Sequence, residues 1–146
     1  FPTRRSSDLG DAPEMDLDFE ARFQSALLQA IQQGVVNAVH DISDGGLATT
    51  LAEMCMHGKI GSSVSLDVLS GSEHEKLFSE AQSGAVIACN PSGKEQIVSH
   101  FEQQGIPVYE IGTTGGERLE IDQHVALTVE SMLSAYENTI RKAMEQ

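Results

Sequence analysis

Val35-Val36-Asn37-Ala38-Val39-His40-Asp41-Ile42-Ser43-Asp44-Gly45-Gly46-Leu47 is the stretch on which the reading of this chain turns. Val35 to Val39 is an apolar, largely β-branched run, short enough for a buried strand. It passes through His-Asp and a glycine pair into Leu47, Leu51 and Met54 or Cys55, which mark an amphipathic helix ending at Gly58. The first amides of such a helix have no intrahelical partners, and the helix dipole favours an anion beside them. Gly45 and Gly46 carry no Cβ, so the backbone can turn sharply and come close to a ligand. Asp41 and Asp44 could hold a Mg²⁺ bridging that anion, and His40 could donate to phosphate or move a proton. The same residues have plainer uses. Ser43 or Asp44 could cap the helix, the glycines could serve only the turn, and His40 could be a satisfied histidine at a strand end. Spacing alone leaves both readings open.

Working outward, Phe19, Phe23, Leu27 and Ile31 recur every four residues and predict a helix over 17–33 that Gly34 stops. Val64, Leu66 and Val68 alternate with polar residues, predicting a half-buried strand over 62–68. A short helix is expected over 72–79, then a buried strand from Ala85 to Cys89. Asn90-Pro91-Ser92 signals a helix start; Ile97, Val98 and Phe101 line that helix, and Gly105 closes it. Val108 to Ile111 and Arg118 to Ile121 flank Thr113-Thr114-Gly115-Gly116, which reads as a hairpin. A last helix is expected from Thr128 to Met144, with Met132, Leu133, Tyr136 and Ile140 inside. The order α β α β α β α β β α indicates an α+β fold, an α/β sandwich with helices packed on a mixed sheet.

The chain has 146 residues and a formal net charge of −13, with 40% hydrophobic and 21% charged residues. That size suits one domain with a core that needs no disulfide or structural metal. The acidity argues against a nucleic-acid partner, which calls for basic surface, but not against a small phosphorylated ligand held by backbone amides or a metal. No apolar run is long enough to span a bilayer. Cys55 and Cys89 make no zinc pattern and read as small core side chains in a reducing cytoplasm. His57, His74, His100 and His124 share no metal-ligand spacing.

His40-Asp41-Ile42-Ser43-Asp44-Gly45-Gly46-Leu47, followed by Ala52-Glu53-Met54, resembles the HDxSxGGL…LAEM signature of the phosphoribosylformylglycinamidine synthases. It is most similar to their second, C-terminal AIR-synthase-type domain. Leu77-Phe78-Ser79-Glu80-Ala81-Gln82-Ser83 is similar to the LFSE-x-QS segment of the same family. The resemblance implies an AIR-synthase C-terminal-domain-like fold of partly ferredoxin-like topology. It implies a nucleotide- or phosphate-binding set of His40, Asp41, Ser43, Asp44, Gly45, Gly46, Ser79, Glu80, Gln82 and Ser83, with Asp41 and Asp44 on Mg²⁺. It implies ATP as cofactor. In the family, ATP activates the amide oxygen of formylglycinamide ribonucleotide, and ammonia from glutamine then gives the amidine. The partners implied are the enzyme's N-terminal domains and a glutaminase, fused or separate; such a domain alone should have no synthase activity. One position departs from the pattern: Gly84 stands where the family usually has arginine, which removes a cation that could meet an anion or a neighbouring domain. The rival readings are another ATP-linked member of the AIR synthase superfamily, and a non-catalytic scaffold domain completing an internal pseudo-dimer.

Residues 1–9, Phe-Pro-Thr-Arg-Arg-Ser-Ser-Asp-Leu, show no hydrophobic period. The frame TTC CCT ACA CGA CGC TCT TCC GAT CT(N), similar to a sequencing adapter, encodes them. They are expected to be a non-native tail, with the domain proper over 10–146.

Overall fold

The computed structural model describes residues 16–144, the side chains of 139–143 excepted. The proposed tail over 1–9 lies outside the described residues. The elements in chain order are α1 (Leu17–Gln32), β1 (Ala38–Asp41), α2 (Gly46–Gly58), β2 (Ser62–Val64), α3 (Glu73–Phe78) and β3 (Ala85–Ala88). A 3₁₀ turn (Pro91–Gly93) then leads to α4 (Lys94–Glu102), β4 (Gly112–Thr114), β5 (Arg118–Ile121), β6 (Val125–Thr128) and α5 (Val129–Met144).

The α+β class is as expected, but the strands form two sheets rather than one. β1 and β3 pair antiparallel, with Ala38 opposite Ala88 and Asp41 opposite Ala85. The other four strands run β4-β2-β5-β6, with β2 antiparallel to β4 and parallel to β5. The expected hairpin is therefore absent: Val108 to Ile111 form no strand, β4 takes up Gly112 to Thr114 where the turn was expected, and β4 and β5 lie on either side of β2. The glycine turn bonds to the start of β2 instead, Gly115 N–H to the Gly61 carbonyl at 2.8 Å and Gly61 N–H to the Gly116 carbonyl at 2.9 Å. Strand β6 and its antiparallel pairing with β5 were not foreseen.

Among the described residues, two hydrophobic clusters hold the fold together. The larger joins Leu47, Leu51, Cys55 and Met56 of α2 to Val64, Leu66, Leu77, Leu119, Ile121, Val129 and Met132. The smaller packs Ala26 and Ala30 of α1 against Ile97, Phe101 and Ile106. The alternation of β3 serves both clusters, since Val86 packs with the first while Ile87 and Cys89 pack with the second. The small pair of strands is thus the partition between them.

Helix α1 starts where the Asp16 carboxylate accepts the Phe19 N–H at 2.9 Å. Its expected stripe is corrected at one end: Phe19, Phe23 and Leu27 pack inward, but Ile31 is exposed. The fully buried positions are the alanines, whose small side chains let α1 approach α4. In α5, Met132 and Leu133 join the core as expected. Tyr136 does not; it is 66% exposed, one turn past the last core residue. The side chain of Ile140 is outside the described ones. Among the described residues no helix is long and apolar enough to cross a membrane.

Candidate functional site

The strand leading into the glycine turn begins three residues later than its apolar run suggests. Val35 and Val36 precede it and pack with the α1–α4 cluster; β1 includes His40 and Asp41 themselves. The cause is pairing: the register with β3, extended by the Asn37 N–H bond to the Ala88 carbonyl at 2.8 Å, fixes where the strand lies.

His40 lies opposite Val86, on the α2 side of the small sheet. Its Nε2 is 3.1 Å from Glu53 Oε2, and its Nδ1 is 2.7 Å from the Asp41 carbonyl oxygen. Both ring nitrogens are therefore engaged within the chain, and His40 ties β1 to α2. Thr50 adds a second tie, its hydroxyl donating to the Asp41 carbonyl at 3.1 Å. Glu53 was not among the expected site residues; its place in the Ala52-Glu53-Met54 part of the signature was the available signal.

The turn itself reaches the surface. Asp41, Ser43 and Asp44 are exposed, while Gly46 and Leu47 are buried. Gly45 is the N-cap of α2 at φ +83° and, having no side chain, makes no capping bond of its own. Neither Ser43 nor Asp44 caps, so the plain capping use is not the one the chain adopts. Gly46, at φ +69°, bonds through its N–H to the Ser43 carbonyl at 3.0 Å.

The two motif segments, far apart in sequence, meet here. The Gly45 N–H donates to Glu80 Oε1 at 2.9 Å. A Cβ on Gly46 would sit 2.6 Å from the Phe78 carbonyl carbon and 2.9 Å from the Leu77 carbonyl oxygen, so its closest approach is to the end of α3. The Ile42 N–H donates to the Gly84 carbonyl at 3.0 Å. Ser79 ends α3, its N–H on the Glu75 carbonyl. Ser83 takes a left-handed φ of +60° and its hydroxyl donates to Glu20 of α1. Gln82 is exposed. Glu20 was missed by sequence reading; nothing local in α1 announces a contact 63 residues away.

The charge here is one-sided. Asp41, Asp44, Glu53 and Glu80 belong to or border the turn, and neither 40–47 nor 77–84 contains a lysine or arginine. Among the described residues no group of three or more His, Cys, Asp or Glu side chains gathers to cage a metal. Two exposed carboxylates suit Mg²⁺ nonetheless, because that ion usually takes one or two protein carboxylates and fills its shell with water and phosphate oxygens. Among the described residues, one hollow lies against β2, β4 and β5 beside Glu110, Glu120 and Asp122, and another beside Glu73, Lys76 and His124. Neither contains a residue of 40–46. The Asp122 carboxyl between them is held below its ordinary value by the Ser65 hydroxyl and the Leu66 N–H. At the start of α3, Ser72 likewise lowers Glu75 in a capping box.

The profile of the family described as AIR synthase related protein, C-terminal domain, matches residues 3–124. The chain belongs to that family. Among curated relatives, the phosphoribosylformylglycinamidine synthase subunit PurL of Brucella ovis is 41% identical over 128 residues, covering 88% of this chain and 17% of that subunit. The chain therefore spans less than a fifth of the length of the curated relatives it matches. Two solved structures from Thermotoga maritima share the fold. PurL complexed with ATP superposes with a TM-score of 0.66 at 18% identity, covering 77% of this chain and 21% of that one. The structure of PurLQS gives 0.70 at 18% identity, covering 86% and 22%. The α+β architecture is thus that of the AIR synthase related C-terminal domains.

Proposed function

We propose that this chain is the C-terminal domain portion of a cytoplasmic phosphoribosylformylglycinamidine synthase, the ligase that converts formylglycinamide ribonucleotide to its amidine at the expense of ATP. One observation carries the reading. The segments 40–47 and 77–83, which hold the family resemblance, converge on a single surface turn through the Gly45–Glu80 hydrogen bond.

On this reading, Asp41, Ser43, Asp44 and Gly45 face the phosphates of a nucleotide, with His40, Gly46, Ser79, Glu80, Gln82 and Ser83 around them. Asp41 and Asp44 are the residues that would hold Mg²⁺, which would supply charge neutralisation for phosphoryl transfer. That neutralisation is needed, since a bare phosphate would meet carboxylates and no basic side chain from these two segments. The ATP complex of Thermotoga PurL supports the nucleotide, and the PurLQS assembly supports partner subunits, one of which we assign the glutaminase role. The remaining walls of the cleft would come from the enzyme's N-terminal domains.

The chain alone is expected to form no amidine in a steady-state assay with ATP, Mg²⁺, substrate and ammonia. Adding the remainder of the enzyme should restore turnover. Amidine made by the 146-residue chain alone would contradict the proposal.

A scaffold role is favoured by one specific observation: the Gly45 amide is already satisfied inside the chain. A thermal-shift titration separates the two, because a ligand of the folded state raises apparent stability. A rise with millimolar Mg-nucleotide supports the nucleotide reading; none supports the scaffold.

A further inference from the structure

We infer that Glu80 is a positioning residue of the turn, fixing the Gly45 amide and with it the direction in which Asp41 to Asp44 project, and that it does not itself meet the phosphate. The inference rests on the nucleotide-facing reading of the turn and gives Glu80 a defined role within it.

Glu80 belongs to a strap, residues 77–84, that bonds the turn at two places, Ile42 through the Gly84 carbonyl and Gly45 through the Glu80 carboxylate, and that runs close against Gly46 at the Phe78 backbone. At Ile42 the bond is made by backbone; at Gly45 it is a side chain. At φ +83° Gly45 has no Cβ to limit its conformation, so the bond supplies that limit. The far end of the strap is tied as well, by the Ser83 hydroxyl on Glu20. A carboxylate that already accepts an N–H beside two further acidic residues repels a phosphate group rather than binding it. What it supplies is a hydrogen-bond acceptor at a fixed place, and a neutral amide oxygen can supply that too.

The test uses two readouts. In the chain as it stands, hydrogen exchange of the Gly45 amide should accelerate about tenfold in Glu80→Ala and stay within about twofold in Glu80→Gln, the difference being one hydrogen bond that the glutamine amide oxygen keeps. In the full-length synthase carrying this segment, calorimetry with Mg-ADP should show about tenfold weaker binding for Glu80→Ala and near-normal binding for Glu80→Gln. Asp41→Asn is the control for the site. If Asp41→Asn weakens binding and Glu80→Ala does not, positioning is wrong and the site stands. If Glu80→Gln is as damaging as Glu80→Ala, the charge matters and Glu80 acts on ligand or metal directly. If Glu80→Ala tightens binding, Glu80 is a latch that the phosphate must displace. If neither Asp41→Asn nor Glu80→Ala changes binding, the nucleotide-facing reading itself fails.

Discussion

Replacing Gly46 by alanine strains the turn in two separable ways, and a glycine series isolates them. At φ +69° an alanine costs about 1–2 kcal/mol for its left-handed backbone alone. Its Cβ would also lie 2.6 and 2.7 Å from the carbonyl carbon and Cα of Phe78, which are backbone atoms and cannot rotate aside. Forcing α3 away from the turn adds about 1–3 kcal/mol, the usual range for overpacking. Gly46→Ala should therefore lose about 2–5 kcal/mol, a large share of the 5–15 kcal/mol typical of a domain. Gly34→Ala is the reference. Its φ is +68° and nothing lies within 4 Å of the added Cβ, so only the backbone cost of about 1–2 kcal/mol remains. Gly45→Ala should fall between, because the atoms it meets belong to the Thr49 side chain, which can turn away at the loss of its bond to the Gly45 carbonyl. Urea unfolding of the three variants, compared at unchanged slope, gives the numbers. Equal losses for Gly46→Ala and Gly34→Ala would refute the packing of the turn against the end of α3.

Three further outcomes are expected. A double-mutant cycle on His40 and Glu53, each to alanine, should show a coupling of about 0.5–1 kcal/mol in unfolding, since the pair joins β1 to α2; independent effects would mean the 3.1 Å contact does not persist in solution. Ala30→Leu should destabilise by about 1–3 kcal/mol by wedging α1 from α4, measured by thermal or urea unfolding, and a neutral result would disprove their close approach. Asp122 has a folded value depressed below 3.8, so it contributes stability above that pH which is lost as pH falls through the folded value; wild type should therefore weaken more steeply than Asp122→Asn on acidification below about pH 4.

The sequence made the helices and the glycine turn legible because their signals are local. Gly58 ends α2, Gly34 and Gly105 follow α1 and α4 within three residues, and α2 buries Leu47, Leu51 and Cys55 at the spacing that announced it. What failed depended on distant partners. Val35 and Val36 are as apolar as any strand, yet the register with Ala85–Ala88 places the strand three residues on. Thr113-Thr114-Gly115-Gly116 looks like a hairpin turn, but Thr113 and Thr114 belong to β4, and β2, about 50 residues upstream, pairs between β4 and β5. At the site, the motif residues themselves were visible, while the contacts that give them direction were not: Glu80 on Gly45, Glu53 on His40 and Glu20 on Ser83 each join elements that only the packed fold brings together.

The most direct test of the nucleotide-facing turn is a titration of the isotopically labelled chain with Mg-ATP, followed residue by residue through its backbone amide resonances. Weak, saturable shifts confined to residues 41–47 and 79–84, and absent when Mg²⁺ is withheld, are the expected result. Shifts centred on the hollow beside Glu110, Glu120 and Asp122, or none at millimolar nucleotide, would contradict it.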